Sequence, residues 1–123
     1  MTLPTNSHQK GITYEEIAYS FLKDKGLELV ERNYRSPRGE IDLIMNDIDL
    51  LVFIEVRGRN NNNLMNVLET IGERKRSRII YASQHYLQHC KLTYKKICRF
   101  DIVLLTGAIE STNIEWIKNA FEA

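Results

Sequence analysis

Charged side chains lie inside two strand-like segments that are otherwise apolar. The segments are GEIDLI at 39–44 and LVFIEVRGR at 51–59, and the charges are Asp42, Glu55 and Arg57. A charge in a buried strand costs free energy unless another charge or a ligand offsets it. These three residues are therefore the first candidates for a functional site.

Two carboxylates that face each other across neighbouring strands repel, so a cation must offset them. One candidate is a ladder of ion pairs, with Glu40 near Arg57 and Glu55 near Arg38. The other is a divalent metal, because Mg²⁺ prefers one or two carboxylates and fills its octahedron with water and phosphate oxygens. The residue types alone leave both interpretations open.

The two segments are predicted to pair as an antiparallel hairpin connected by the polar stretch between them. Pairing Met45 with Leu50 places Asp42 opposite Phe53 and diagonally beside Glu55. Side chains alternate along a strand, so one face is apolar and the other changes from apolar to charged away from the turn. The apolar face comprises Ile41, Leu43, Met45, Val52, Ile54 and Val56, and the mixed face comprises Glu40, Asp42, Ile44, Leu51, Phe53, Glu55 and Arg57.

A helix is predicted before the hairpin, starting at a capping box with Thr13 as N-cap and ending at Gly26. Glu15 lies on the edge of its apolar stripe. That carboxylate either leans into whatever the helix packs on or complements the helix dipole as an ordinary first-turn acid. The stripe comprises Tyr14, Ile17, Ala18, Phe21 and Leu22.

A second helix is predicted after the hairpin, from a capping box at Thr70 to about Cys90. Lys75 falls within its apolar stripe, where it either snorkels outward or points at the acidic cluster. It belongs to ERKRSR, the densest basic segment in the chain, which is either a solvated helix face or a phosphate-binding surface. The stripe comprises Ile71, Ile79, Ala82 and Tyr86.

The rest of the chain completes a single α/β domain, predicted over residues 11–123 after a flexible segment at 1–10. Its further parts are a strand at 27–32, a turn in NYRSPRG, a low-complexity loop at 60–63, a strand at 98–106, a turn near Gly107 and a helix at 114–121.

Composition limits the classes of function. The formal net charge is +1 over 123 residues, so any nucleic-acid binding must come from a local basic patch. Two cysteines imply no disulfide framework, and their spacing does not make a zinc site with the nearby histidines. With a polar start and no run long enough to span a membrane, the chain is predicted to be cytoplasmic.

The order of a helix glutamate, a strand aspartate and Glu-x-Arg on the next strand resembles the PD-(D/E)XK, or restriction-endonuclease-like, nuclease superfamily. More closely, GEIDLI, FIEVRGR, CRFDIV and IEWIKNAF resemble the YraN-like family of bacterial proteins within it. The resemblance runs from about Gly11 to Phe121. It implies an αβββαβ core with a mixed central sheet flanked by helices.

Site residues follow from the resemblance by position. Glu15 corresponds to the helix glutamate, Asp42 and Glu55 to the metal-binding pair, and Arg57 to the superfamily's lysine. Together these four are the predicted catalytic residues, and the three carboxylates are the predicted ligands of Mg²⁺ or Mn²⁺. Further positions that recur in the family are Asn33, Arg35, Arg59 and Lys75.

These features predict a nucleic-acid-binding protein of nuclease fold, with hydrolysis of phosphodiester bonds by a Mg²⁺- or Mn²⁺-dependent endonuclease as its catalytic form. The alternative is a non-catalytic module that keeps the fold to bind nucleic acid or protein. Both stay open because arginine remains protonated at neutral pH, so Arg57 cannot be a base. A metal hydroxide or Lys75 would have to replace it.

The predicted partner is nucleic acid, with DNA favoured over RNA, no membrane contact and a homodimer left open. Basic side chains would neutralise phosphates with little preference for sequence. The predicted nucleic-acid contacts are Arg35, Arg38, Arg59, Arg74, Lys75 and Arg76.

Overall fold

A computed structural model describes residues 7–59 and 71–123. The order of elements confirms the predicted αβββαβ core and adds a fifth strand. The elements are α1 (Ser7–Asp24), β1 (Glu28–Ser36), β2 (Gly39–Asp47), β3 (Leu50–Arg59), α2 (Glu73–His89), β4 (Ile97–Thr106), a short 3-10 helix (Ile109–Ser111) and β5 (Asn113–Phe121).

The five strands form one mixed sheet in the order β1-β2-β3-β4-β5. Only the central pair, β3 and β4, is parallel; the other neighbours are antiparallel. Parallel strands need a crossover connection, and the segment that contains α2 provides it. In the described part of the chain, no helix is long and apolar enough to cross a membrane.

The two helices cover opposite faces of the sheet with the predicted apolar stripes. On α1, Tyr14, Ala18 and Leu22 are buried against the face that includes Leu43 and Val52. The stripe of α2 is buried on the other face, with Ile71, Ile79, Ala82 and Tyr86 packing around Phe53 and Phe100. Each face of β2 and β3 is therefore covered by a different helix.

Both predicted helix starts were wrong. α1 begins at Ser7, so Thr13 lies in its interior; no proline lies between the two residues, and Gly11 is accommodated within the helix. The N-cap of α2 is Gly72, which makes no side-chain capping bond, and Thr70 lies outside the described residues. The predicted end of α1 is confirmed: Gly26 has φ 100, and the amide of Leu27 donates to the Leu22 carbonyl at 3.1 Å.

The predicted N-terminal segment and the predicted loop at 60–63 fall largely beyond what the structure describes. Residues 1–6 and 60–70 lie outside the described residues, and Ser7 to Lys10 are helical. The boundary at residue 11 stays a prediction.

The β2–β3 hairpin forms, but its predicted register was wrong by two residues. Asp47 pairs with Leu50, and Ile44 with Phe53. The turn is only two residues long and holds Ile48 at φ 57, a conformation that favours glycine or asparagine, so the sequence carried no signal for it. Because side chains alternate with a period of two, a register shift of two residues does not exchange the two faces of the hairpin. It brings Asp42 level with Glu55 instead of Phe53.

The β1–β2 ladder is interrupted where Asn33 and Asp42 face each other, although the pairs on either side keep one register. Asn33 has φ 52, a left-handed conformation that strand residues rarely adopt. Beyond this point Ile41 packs in the cluster under α2, whereas Leu43 packs under α1. The prediction that these two residues share a face was therefore wrong, because the regular alternation of side chains along β2 does not extend from Leu43 to Ile41.

Two further elements differ from their predictions. β1 continues to Ser36, so the predicted turn shrinks to Pro37 and Arg38. Residues 114–121, predicted as a helix, belong to β5 and pair antiparallel with β4. These residues form a strand because β4 offers them a hydrogen-bonding edge, which no local sequence pattern reveals.

Candidate functional site

Asp42 and Glu55 meet on neighbouring strands inside the sheet. Glu55 is 5% exposed, and Asp42 is half-buried. The amide of Val56 donates to Oδ2 of Asp42 at 2.8 Å, which fixes that carboxylate against β3. The structure thus brings together the two residues that the sequence predicted as a pair, and places them closer than the predicted diagonal arrangement.

Burial dominates the protonation of this pair. It raises the pKa of Glu55 to about 8, with the charge of Asp42 raising it further and the cations Lys75 and Arg57 opposing the rise. Burial also raises the pKa of Asp42, against the lowering effect of the Val56 amide. A hydrogen bond joins the two carboxyl groups and lowers the pKa of Asp42 while raising that of Glu55.

A cation from α2 forms an ion pair with Glu55. The Nζ of Lys75 lies 3.6 Å from Oε1 of Glu55, so Lys75 points at the acidic pair instead of snorkelling away from it. The sequence had paired Glu55 with Arg38; Lys75 takes that place. Glu40 contacts Arg35 at 3.7 Å, and both of these side chains are more than half exposed.

Glu15 lies at the edge of the same site. Burial raises its pKa to about 7, with further increases from Asp42 and Glu40 that Arg32 opposes. Glu15 therefore leans toward the acidic pair, as one of its two predicted orientations required. Its neighbour Glu16 faces Arg32, with which it forms an ion pair.

Packing of α1 on β3 sets the position of Glu15. The ring of the adjacent Tyr14 lies so close to Gly58 that a Cβ on this glycine would be 2.2 Å from the ring. The Tyr14 hydroxyl donates to the Gly107 carbonyl at 3.1 Å. Tyr14 thereby joins α1 to β3 and to the turn after β4, and fixes the part of the helix that carries Glu15.

A groove lined mainly by basic side chains adjoins the acidic pair. This basic groove has a volume of about 680 Å³ and lies between the β1–β2 turn and the start of α2. The two elements are in close contact, because a Cβ on Gly39 would lie 2.4 Å from the Arg78 carbonyl oxygen. Residues lining the groove are Arg35, Ser36, Pro37, Arg38, Gly39, Glu40, Lys75 and Arg78.

The structure places some of the predicted nucleic-acid contacts in the basic groove and others outside it. Of the described residues, Arg74 and Arg76 are not among those that line the groove, whereas Lys75 is. Arg78, which the predicted set omitted, joins Lys75 there because residues three apart share a helix face. That spacing within ERKRSR was the signal available in the sequence. The side chain of Arg59, at the end of β3, lies outside the described residues.

The donor set at the acidic pair can be tested against the predicted metal. Among residues 7–59 and 71–123, no three aspartate, glutamate, histidine or cysteine side chains lie close enough to form a metal site. Two adjacent carboxylates are nevertheless what Mg²⁺ requires of a protein, since water and phosphate supply its remaining ligands. Asp42 and Glu55 fit that requirement, and the charge of Asp42 raises the pKa of Glu15 at the edge of the site.

Sequence reasoning missed a second network of charges, centred on β4. Asp101, 1% exposed, accepts two hydrogen bonds from Arg99, at 2.9 and 3.0 Å. It also accepts from the indole of Trp116 at 2.9 Å and from the amide of Asn119 at 3.0 Å. Arg99 in turn binds Asp47 at 3.0 Å. This network holds β5 and the end of β2 to β4.

The fold and its acidic pair define a restriction-endonuclease-like α/β domain of the PD-(D/E)XK nuclease-like superfamily. The chain belongs to the uncharacterised protein family UPF0102, whose family model matches residues 14–105.

Relatives in this family match nearly the whole chain. It is similar to the UPF0102 protein of Nitrosococcus oceani, with 42% identity over 96% of this chain and 95% of the relative. The UPF0102 protein of Nitrosospira multiformis is 47% identical over 92% of each chain. That of Coxiella burnetii is 43% identical over 91% of each. These similarities establish the family, which is the predicted YraN-like one.

Proposed function

We propose that this protein is a metal-dependent endonuclease that binds nucleic acid in the basic groove and hydrolyses a phosphodiester bond beside Asp42 and Glu55. The observation that supports it is the pair of adjacent carboxyl groups at the side of a cationic groove, with Asp42 half-buried and Glu55 buried and 3.6 Å from the ammonium of Lys75. Placing two carboxyl groups side by side in a largely buried position costs free energy, unless a bound cation offsets their negative charge.

Asp42 and Glu55 would hold Mg²⁺ or Mn²⁺, and Glu15 would assist from α1. Such an ion lowers the pKa of bound water and offsets charge on a phosphate. For binding, Glu55 must lose the proton that its raised pKa retains, and Lys75 favours that loss. The groove arginines would position the phosphate backbone of the nucleic acid. We expect the protein to act in the cytoplasm and to prefer DNA to RNA.

Lys75 takes the part of the superfamily's lysine in this proposal. Arg57 occupies the matching position in sequence, and both cations lower the pKa of Glu55, with Lys75 having the larger effect. An ammonium 3.6 Å from Glu55 supplies charge at the reacting phosphate and orients groups beside it. Lys75→Met should therefore reduce cleavage by roughly 10²-fold or more, as loss of one electrostatic group typically does.

The decisive experiment combines metal binding with cleavage. Calorimetric titration with Mn²⁺ and cleavage of labelled branched, single-stranded and duplex DNA and RNA should both be lost in Asp42→Asn and Glu55→Gln. Glu28→Gln is the matched control, because Glu28 is exposed on β1 at the opposite end of the β1–β2 pair. Cleavage that survives in both site variants would refute the proposal.

A non-catalytic binding module is the second candidate. It is favoured by Arg57 and by the lack of a third metal-binding side chain near the pair in the described part of the chain. In that case the wild type would bind nucleic acid without cutting it, and Asp42→Asn would change neither metal affinity nor nucleic-acid affinity.

A further inference from the structure

The exposed side of α2 carries three flat side chains spaced one helical turn apart. Tyr81, His85 and His89 form this row, hereafter the α2 aromatic row. Their ring centroids lie 6.3 Å and 6.4 Å apart in succession, with interplanar angles of 31° and 8°. The first two rings are half-buried and the last is exposed. None of them contributes to the apolar stripe with which α2 covers the sheet.

The middle of the row is held in place by β1. The hydroxyl of Tyr34 is hydrogen bonded to Nδ1 of His85 at 2.6 Å. Tyr34 in turn packs edge-to-face on Tyr86, which is 6% exposed in the core, with centroids 5.1 Å apart. This anchoring leaves His85, in the middle of the row, little rotamer freedom to lose on binding, which favours affinity.

The row continues the basic groove. Arg38, which lines the groove, also has its guanidinium over the ring of Tyr81 at 5.6 Å. Lys75 and Arg78 line the groove from the same helix, and Tyr81 follows Arg78 by three residues. Cationic groups are thus succeeded along one helix face by a line of rings.

Cations followed by ring faces match the chemistry of an unpaired nucleic-acid strand. A cationic groove neutralises the phosphates, and aromatic side chains stack on bases whatever their sequence. Paired bases inside a duplex are already stacked and offer no free face to such a row. The combination therefore discriminates by strandedness and not by sequence.

We propose that the α2 aromatic row binds the bases of a single-stranded segment whose phosphates lie in the basic groove. The substrate class is then nucleic acid with an unpaired region, such as a flap, a junction arm or a free single strand. This inference rests on the proposed nucleic-acid binding and adds to it the preference for unpaired bases.

The test is fluorescence anisotropy with a labelled oligothymidine strand and a duplex of equal length at one salt concentration. The variants are Tyr81→Leu and His89→Ala, with Tyr81→Phe as the conservative variant and Gln88→Ala as an exposed control on the same helix. We expect the first two to bind the single strand about fivefold or more weakly, the effect of losing one stacked base. Tyr81→Phe, Gln88→Ala and all duplex affinities should stay within about twofold of wild type, well below that stacking effect. Circular dichroism checks that each variant is folded.

The possible outcomes separate the two proposals. If Tyr81→Leu and His89→Ala bind the single strand like wild type, or lose single-strand and duplex affinity equally, the row does not recognise unpaired bases, while the proposed function stands. If wild type binds neither nucleic acid, both proposals fail. Selective loss on the single strand, with recovery in Tyr81→Phe, would establish the row as a base-stacking surface.

Discussion

Protonation of Glu55 couples the folding of this protein to pH. Its pKa is raised from 4.5 to about 8, first by burial and then by Asp42, so the folded state keeps a proton that the unfolded chain releases. The stability gained from this proton is complete below pH 4.5 and is lost as pH rises through about 8. The raised pKa values of Glu15 and Asp42 act in the same direction.

Glu55→Gln removes this titration while keeping a hydrogen-bond donor for Asp42. The variant's free energy of unfolding should fall less than that of wild type between pH 4.5 and about 8. The difference should be on the order of 5 kcal/mol at most, since one pKa unit corresponds to about 1.4 kcal/mol and the pKa rises from 4.5 to about 8. Urea denaturation at both pH values measures it, with Glu28→Gln as control. Equal pH dependence in wild type and Glu55→Gln would contradict the raised pKa.

At the scale of secondary-structure elements, the packing of α1 on β3 depends on the absence of a side chain at Gly58. Gly58→Ala would place a methyl group 2.2 Å from the Tyr14 ring, which is 5% exposed and has little room to move. We expect a loss of about 1–3 kcal/mol in the free energy of unfolding, as for other overpacked sites. Gly72→Ala is the matched control, because a Cβ there meets nothing within 4 Å. Chemical denaturation compares the two, and equal stability would show that α1 shifts freely.

The attachment of β5 depends on Asp101. Asp101→Ala would leave the indole of Trp116 and part of the Arg99 guanidinium without their acceptor in a buried place. Breaking one side of a buried charge pair typically costs about 3–5 kcal/mol. Hydrogen exchange should then increase first in β5, whereas Glu115→Ala, an exposed change on the same strand, should have no such effect. Uniform exchange throughout the sheet would mean that the network is not what holds β5.

The elements that sequence reasoning predicted are those with local patterns. The stripe of α1 and its end at Gly26 depend on spacing and on one residue's conformational freedom, both visible in the chain. The strand at β5 was mistaken for a helix because Ile114, Ile117 and Phe121 fit a helical period as well, and the pairing with β4 that makes it a strand is not visible in the local pattern. The hairpin register failed for a similar reason, since it depends on a turn with an unusual conformation at Ile48.

The candidate site could be predicted in composition but not in its contacts. Asp42 and Glu55 were identified because charges in apolar strands are conspicuous, and Lys75 because it interrupts an apolar stripe. Their proximity depends on how α2 packs on the sheet, with Gly39 against the Arg78 carbonyl. That contact joins residues far apart in sequence, so no local pattern contains it.

For the whole molecule, net charge and local charge make different predictions about nucleic-acid binding. A formal net charge of +1 gives no general attraction to a polyanion, so binding must depend on the basic groove. Affinity should then fall linearly with salt on a double-logarithmic plot, through release of the counterions that the groove cations replace.

Arg78→Ala tests this dependence, because Arg78 lines the groove and is exposed. If it contacts one phosphate, the salt slope should decrease in magnitude by about 1, with affinity falling alike for all sequences. Lys95→Ala, which removes an equal charge from an exposed position before β4, should leave the slope unchanged. Anisotropy titrations over a range of salt concentrations measure both. Equal changes in the two variants would mean that binding follows overall charge and that the groove does not guide the strand to Asp42 and Glu55.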